Sequence, residues 1–216
     1  MRLRISLWGF PLCAIALVML AAVMAGPARA QDKQATGKGE GNADPAMQEM
    51  MKKWMESATP GENHKALEHF IGKWDLATKM WMEGPGKPPT ETKGTSEVKW
   101  ILGGRYTLEE MKGQIMGMPH NGMGITGYDN FKKQYVSFWI DNTSTAMFNS
   151  QGELDASKKV MTTLGKMDEP MTGEKDKPVK FVIQIVDKDK HVFSVYDQVG
   201  TANEFKVVEI TYTRKK

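Results

Sequence analysis

Six side chains between residues 105 and 141 have the types and spacing to make a small-molecule site: Arg105, Tyr106, Glu110, Tyr128, Trp139 and Asp141. They are polar or amphipathic in segments otherwise rich in apolar residues, and a ligand cavity needs a few such groups on apolar walls. Alternation along a strand sets Tyr135, Ser137, Trp139 and Asp141 on one face and Val136, Phe138 and Ile140 on the other. Both faces carry apolar bulk, so either could be the interior. The paired acids offer less. Glu109 and Glu110 are strand neighbours that face opposite ways, and Asp168-Glu169 and Asp187 with Asp189 fall in turns, so none makes an acid/base pair. Asp187-x-Asp189 also falls far short of a calcium oxygen shell. No catalytic residue and no metal site is assigned.

Cofactors are likewise not expected, although two chemistries stay open. The histidines, His64, His69, His120 and His191, lack metal-ligand spacing, and a haem would need His120 or His191 as a distant axial ligand. Methionine is abundant at 17 residues, and thioethers from Met50, Met51 and Met55, or from Met116 and Met118, would suit Cu(I). The commoner use of methionine is to fill irregular gaps. The chain has no G-x-S-x-G, H-E-x-x-H or phosphate-loop motif.

The elements that must position these residues begin after an N-terminal segment with the character of a secretory signal. Arg2 and Arg4 precede an apolar run to Ala25, and Ala28-Arg29-Ala30 supplies small residues at a cleavage position, so cleavage is expected after Ala30 and the protein is expected to be secreted or periplasmic. Arg2, Arg4 and Arg29 carry the whole formal +3: without them 26 of the 29 basic residues stand against 26 acidic ones. A neutral chain with interspersed signs has no footprint for a phosphate backbone, so no nucleic-acid partner is expected, nor a membrane once the signal is removed. The single cysteine, Cys13, lies in that segment, which excludes disulfides and thiolate chemistry from the mature chain.

Residues 31–45 contain no branched aliphatic or aromatic side chain and read as a disordered leader. Met47, Met50, Met51, Trp54 and Met55 then form one stripe of an amphipathic helix over 46–57, expected to dock on the domain that follows. Beyond Phe70 the period switches to two. Strands are expected near 73–82, 91–102, 104–114, 121–129, 133–141, 144–151, 157–167, 178–187, 190–198 and 203–213, separated by turns too short for crossover helices. The fold class is therefore all-β, an antiparallel up-and-down barrel of about ten strands with a short N-terminal amphipathic helix, and residues 46–216 form a single domain.

Phe70-Ile71-Gly72-Lys73-Trp74, just ahead of these strands, resembles the opening of lipocalin or calycin barrels. That resemblance implies that Trp74 and Arg214 are structural, the arginine packing across the indole at the barrel base. Further blocks resemble a bacterial family of secreted proteins of unknown function, DUF1579: Thr59-Pro60-Gly61-Glu62, Lys99-Trp100-Ile101-Leu102-Gly103-Gly104-Arg105-Tyr106, Gly127-Tyr128-Asp129-Asn130, Trp139-Ile140-Asp141-Asn142-Thr143-Ser144-Thr145 and Glu209-Ile210-Thr211-Tyr212-Thr213-Arg214. The resemblance spans about residues 47–215 and implies a lipocalin-like fold with no established activity. The leading expectation is non-catalytic binding of a small apolar ligand in the barrel lumen. Two alternatives stay open: an isomerase or hydrolase using Arg105, Tyr106, Tyr128 and Asp141 in the same lumen, and a protein-interaction module whose barrel is packed solid.

Overall fold

The computed structural model describes residues 44–216. The expected signal peptide, its cleavage point and nearly all of the expected leader lie outside these residues. The first element, α1 (Pro45–Ala58), starts where Asp44 accepts the amide of Ala46 and Pro45 occupies the first helical turn. A short helix α2 (Glu62–Lys65) and a 3₁₀ turn (Ala66–Phe70) follow.

Ten strands complete the chain: β1 (Gly72–Met80), β2 (Thr90–Ile101), β3 (Tyr106–Ile115), β4 (Met118–Asp129), β5 (Gln134–Asp141), β6 (Phe148–Leu154), β7 (Val160–Glu169), β8 (Glu174–Asp187), β9 (Lys190–Asp197) and β10 (Phe205–Arg214). Each pairs antiparallel with its sequence neighbours, and β10 pairs with β1 to close the barrel. Closure leaves no strand edge to be covered. The period-two pattern puts Trp74, Leu76 and Met80 of β1 inside, buried, with charged Lys73 and Asp75 outside.

The two barrel ends differ because the connections differ. At one end the tight β2–β3, β4–β5, β6–β7 and β8–β9 turns surround α2 and the 3₁₀ turn, which act as a plug. Leu67, fully buried, packs with Tyr135 and Met161; the Tyr135 hydroxyl donates to the Asn63 carbonyl at 3.0 Å, and Trp100 Nε1 donates to Glu68 at 2.7 Å. Trp74 lies across this floor. Its indole donates to the Phe70 carbonyl at 2.8 Å, and the Arg214 guanidinium covers its face at 4.2 Å while donating to the carbonyls of Ile71 and His69 at 2.7 and 2.8 Å. A planar cation can cover a ring and still spend its edge donors on carbonyls. Gly72 is required beside it: its φ is +127°, and a Cβ there would stand 2.8 Å from Arg214 Nη1.

The plug differs from the sequence expectation. The amphipathic helix α1 exists, but it does not dock: none of its residues is buried, and Met47, Met50, Met51, Trp54 and Met55 are all about half exposed. What holds α1 is its C-terminal end, where the Asn130 amide donates to the carbonyls of Ser57 and Thr59 at 3.1 and 2.8 Å. The role expected of α1 falls to Leu67 and Phe70. Among the described residues, no helix is long and apolar enough to cross a membrane.

Candidate functional site

Inside the barrel, between the plug and the opposite mouth, lies a cavity of about 1200 Å³. The barrel is therefore not packed solid along its whole length, although near the floor side chains of separate strands do meet, the Tyr212 hydroxyl of β10 reaching Glu109 of β3. The floor consists of Phe70, His191 and Tyr212, and the mouth is framed by the β1–β2, β5–β6 and β7–β8 connections.

The face left undecided by sequence is resolved. Tyr135, Ser137, Trp139 and Asp141 line the cavity, while Val136, Phe138 and Ile140 belong to the outer face. Trp139 can lie against the wall because its neighbours on β4 are glycines: a Cβ on Gly122 would fall 2.0 Å from the indole, and one on Gly124 2.9 Å from it. Its Nε1 donates to Asp141 at 3.0 Å, and Asp141 also accepts from the Thr143 amide and hydroxyl at 2.9 and 2.6 Å. Burial pushes the Asp141 carboxyl up, but these donors, with His120 at 3.4 Å, outweigh it and hold the group below its usual range.

The other four expected site residues do not reach the cavity. Glu110 is on the outer face, paired with Lys99 at 3.0 Å. Arg105 is exposed in the β2–β3 turn and donates to the Leu102 carbonyl. Tyr106 lies outside over Gly127, where a Cβ would meet its ring at 2.3 Å. Tyr128 packs under the plug, edge-on to Tyr135 and His64. Tyr106 and Tyr128 instead flank a shallow outer cleft with Ser57, Asn130 and Phe131.

Glu109, set aside in the sequence reading, is the acid that faces inward. Its Oε1 accepts from Ser96 Oγ at 2.6 Å and from the Tyr212 hydroxyl at 3.1 Å. Desolvation pushes its carboxyl above the usual range against the pull of those two bonds, and burial, then the charge and hydrogen bond of Glu109, keep the Tyr212 hydroxyl well above its ordinary value. What surface the residue retains is turned to the cavity, so it is accessible to a ligand and shielded from bulk water. The general signal was present, since alternation fixes that one of Glu109 and Glu110 must point in.

The floor histidine, His191, stacks on Tyr212 with centroids 4.4 Å apart and meets Trp74 edge-on at 4.5 Å. Burial, then the nearby His69 and Arg214, bring its pKa down to about 3, so the imidazole is neutral. His120, at the third residue of β4, sits toward the mouth, and His191, at the second residue of β9, lies on the floor; the two stand at opposite ends of the lumen. Among the described residues no group of three or more His, Cys, Asp or Glu is arranged to hold a metal ion. Met50, Met51 and Met55 stand on α1, away from the cavity lining.

Fold and cavity define the class: a closed, up-and-down ten-stranded barrel with a floored lumen open at the far end. The family described as "Protein of unknown function (DUF1579)" matches residues 59–214, and the chain belongs to that family. No curated protein matches the sequence. Among solved structures, the crystal structure of Rv2717c from M. tuberculosis is similar in fold: it is 14% identical, with 73% of this chain and 100% of that one aligned at a TM-score of 0.53. Two redesigned β barrels, the second bound to DFHBI, are each 12% identical. They cover 70% and 71% of this chain and 96% and 100% of their own, with TM-scores of 0.38 and 0.36.

Proposed function

We propose that this protein is exported and binds a small, largely apolar molecule in its barrel lumen without transforming it. The observation that carries this reading is the cavity of about 1200 Å³, closed below by the plug and walled by Leu76, Met80, Phe181, Phe193, Val195 and Ile210. A space of that size holds a drug-sized ligand, and apolar walls with a few fixed polar groups are what such a ligand requires. Export rests on the basic start, apolar run and small-residue end of residues 1–30. Binding without turnover is favoured because the lumen carboxylates are held by fixed partners: Asp141 by Thr143 and Trp139, Glu109 by Ser96 and Tyr212.

Titration with the uncharged apolar dye Nile red tests the reading. Saturable dye emission with quenching of protein fluorescence is expected, the quenching reduced in Trp139→Phe and the remainder carried by Trp81 at the mouth. Val195→Trp, which narrows the lumen beside Phe181 and Phe193, should weaken dye binding several-fold while leaving the circular dichroism spectrum of the barrel intact. Dye binding unchanged both in this variant and in Trp139→Phe would place the dye on the outside and reject the lumen reading.

A further inference from the structure

The lumen walls are chemically divided, and the division follows the strand register. Thr107 of β3 pairs with Thr126 of β4, Thr126 with Ser137 of β5, and Ser137 with Ser150 of β6. Thr163 of β7 extends the row diagonally, its Oγ1 donating to Ser150 Oγ at 3.0 Å. Five adjacent strands thus present five hydroxyls to the lumen in one arc. The remaining wall, β8 to β10 with β1 and β2, is mainly apolar, with Phe181 and Phe193 stacked at 16°.

The arc is only partly self-satisfied. A hydroxyl has one hydrogen to donate and two lone pairs to offer. Thr107 gives its hydrogen to the Thr126 carbonyl at 3.4 Å and has only lone pairs to offer, while Thr126 and Ser137 share one hydrogen bond at 3.1 Å and Thr163 gives its hydrogen to Ser150, so each of those two pairs retains one donor for a third party. Glu109, two residues along β3 from Thr107, adds a carboxyl whose Oε1 carries both protein bonds and whose Oε2 has no hydrogen-bond partner among the described residues.

We infer that the occupant of the lumen is an uncharged, flat molecule bearing several hydroxyl groups along one edge, that edge seated on the arc from Thr107 to Thr163 and on Glu109. The inference rests on the lumen-binding reading and narrows it. Flatness follows from the walls: Trp139 lies as a slab over Gly122 and Gly124 on the polar side, and Phe181 with Phe193 offers ring surface on the other. Absence of charge follows from the charged groups already committed. Lys177 is paired with Asp197 at 2.7 Å and so is not free for an anionic ligand, and the Asp141 carboxyl is already filled by donors from Thr143 and Trp139 and so is not free for a cationic one. Glu109 lines the lumen with both of its protein bonds on Oε1, so Oε2 is placed to accept from a ligand hydroxyl, and burial pushes this carboxyl above its usual range.

Calorimetric titration with three probes tests this: the polyhydroxylated flat molecule quercetin, its unsubstituted parent flavone, and palmitate. Quercetin is expected to bind about 10-fold or more tighter than flavone, the scale of one or two well-placed hydrogen bonds, and palmitate more weakly than either. Thr126→Val with Ser137→Ala should bring quercetin down to the level of flavone and leave flavone unchanged. Thr163→Val, isosteric and confined to one hydroxyl, should do the same in smaller measure, and serves if the double variant does not fold. Equal binding of quercetin and flavone, no effect of the variants, or palmitate as the tightest probe would overturn the inference and leave lumen binding standing. Failure of all three probes to bind would remove both.

Discussion

Trp74 is fully buried, hydrogen-bonded through its indole and covered by Arg214, so its removal should open a cavity that the closed floor cannot collapse into. Trp74→Ala is expected to cost about 3–5 kcal/mol, read as a shift of the urea midpoint with little change in slope. A pH effect follows from His191 beside it. Its folded pKa of about 3 lies below the unfolded value of 6.5, so the unfolded chain binds the extra proton as pH falls. The stability conferred by the neutral ring is fully present above pH 6.5 and is lost progressively down to about pH 3, up to ~5 kcal/mol in all. Urea midpoints measured from pH 7 to pH 4 should decline more steeply in the wild type than in His191→Phe, which keeps an aromatic ring under Tyr212 and cannot titrate. Parallel declines would mean that another group governs acid sensitivity.

At the scale of elements, the plug is the piece whose loss should matter most for its length. Leu67→Ala in the 3₁₀ turn is expected to destabilise by about 2–5 kcal/mol and to speed amide exchange at the plug end of β5 and β7, the strands that hold Tyr135 and Met161. Truncation before Thr59, which removes α1, should leave the melting temperature nearly unchanged, since α1 buries no side chain. All ten strands were readable from alternation and turn residues, and the misplacements have local causes. Pro119-His120-Asn121-Gly122 has the composition of a turn, yet it lies in β4, and the true hairpin is Met116-Gly117 with φ of 52° and 77°. A methionine held in the left-handed region leaves no mark in composition. The start of β6 slipped from 144 to 148 because Asp141 turns back to bond Thr143, a contact made by side-chain geometry. Within the site, Trp139 and Asp141 could be found because alternation ties them to Tyr135 and Ser137. Glu109 was passed over for Glu110, because alternation separates the two and does not say which is inside. The hydroxyl arc was invisible for a deeper reason: its members are 107, 126, 137, 150 and 163, and only the pairing register aligns them.

At the scale of the molecule, the barrel joins a plugged end to an open one, and the closing pair of strands carries the plug's anchor. Arg214 bonds carbonyls 143 and 145 positions earlier in the chain, and β10 supplies the partner of every β1 residue from Trp74 to Met80. Strands β1 to β9 can form by successive hairpins, each closing a short loop, but the last pairing must wait for β10. A ribosome hides the most recently made stretch of its product, so the seam cannot be sewn until β10 has emerged. Until then β1 and β9 are both bare edges with adhesive backbone, and the nascent chain is a curved sheet in search of a tenth strand. The protein thereby reaches its native form only once the last of its ten strands is free to pair.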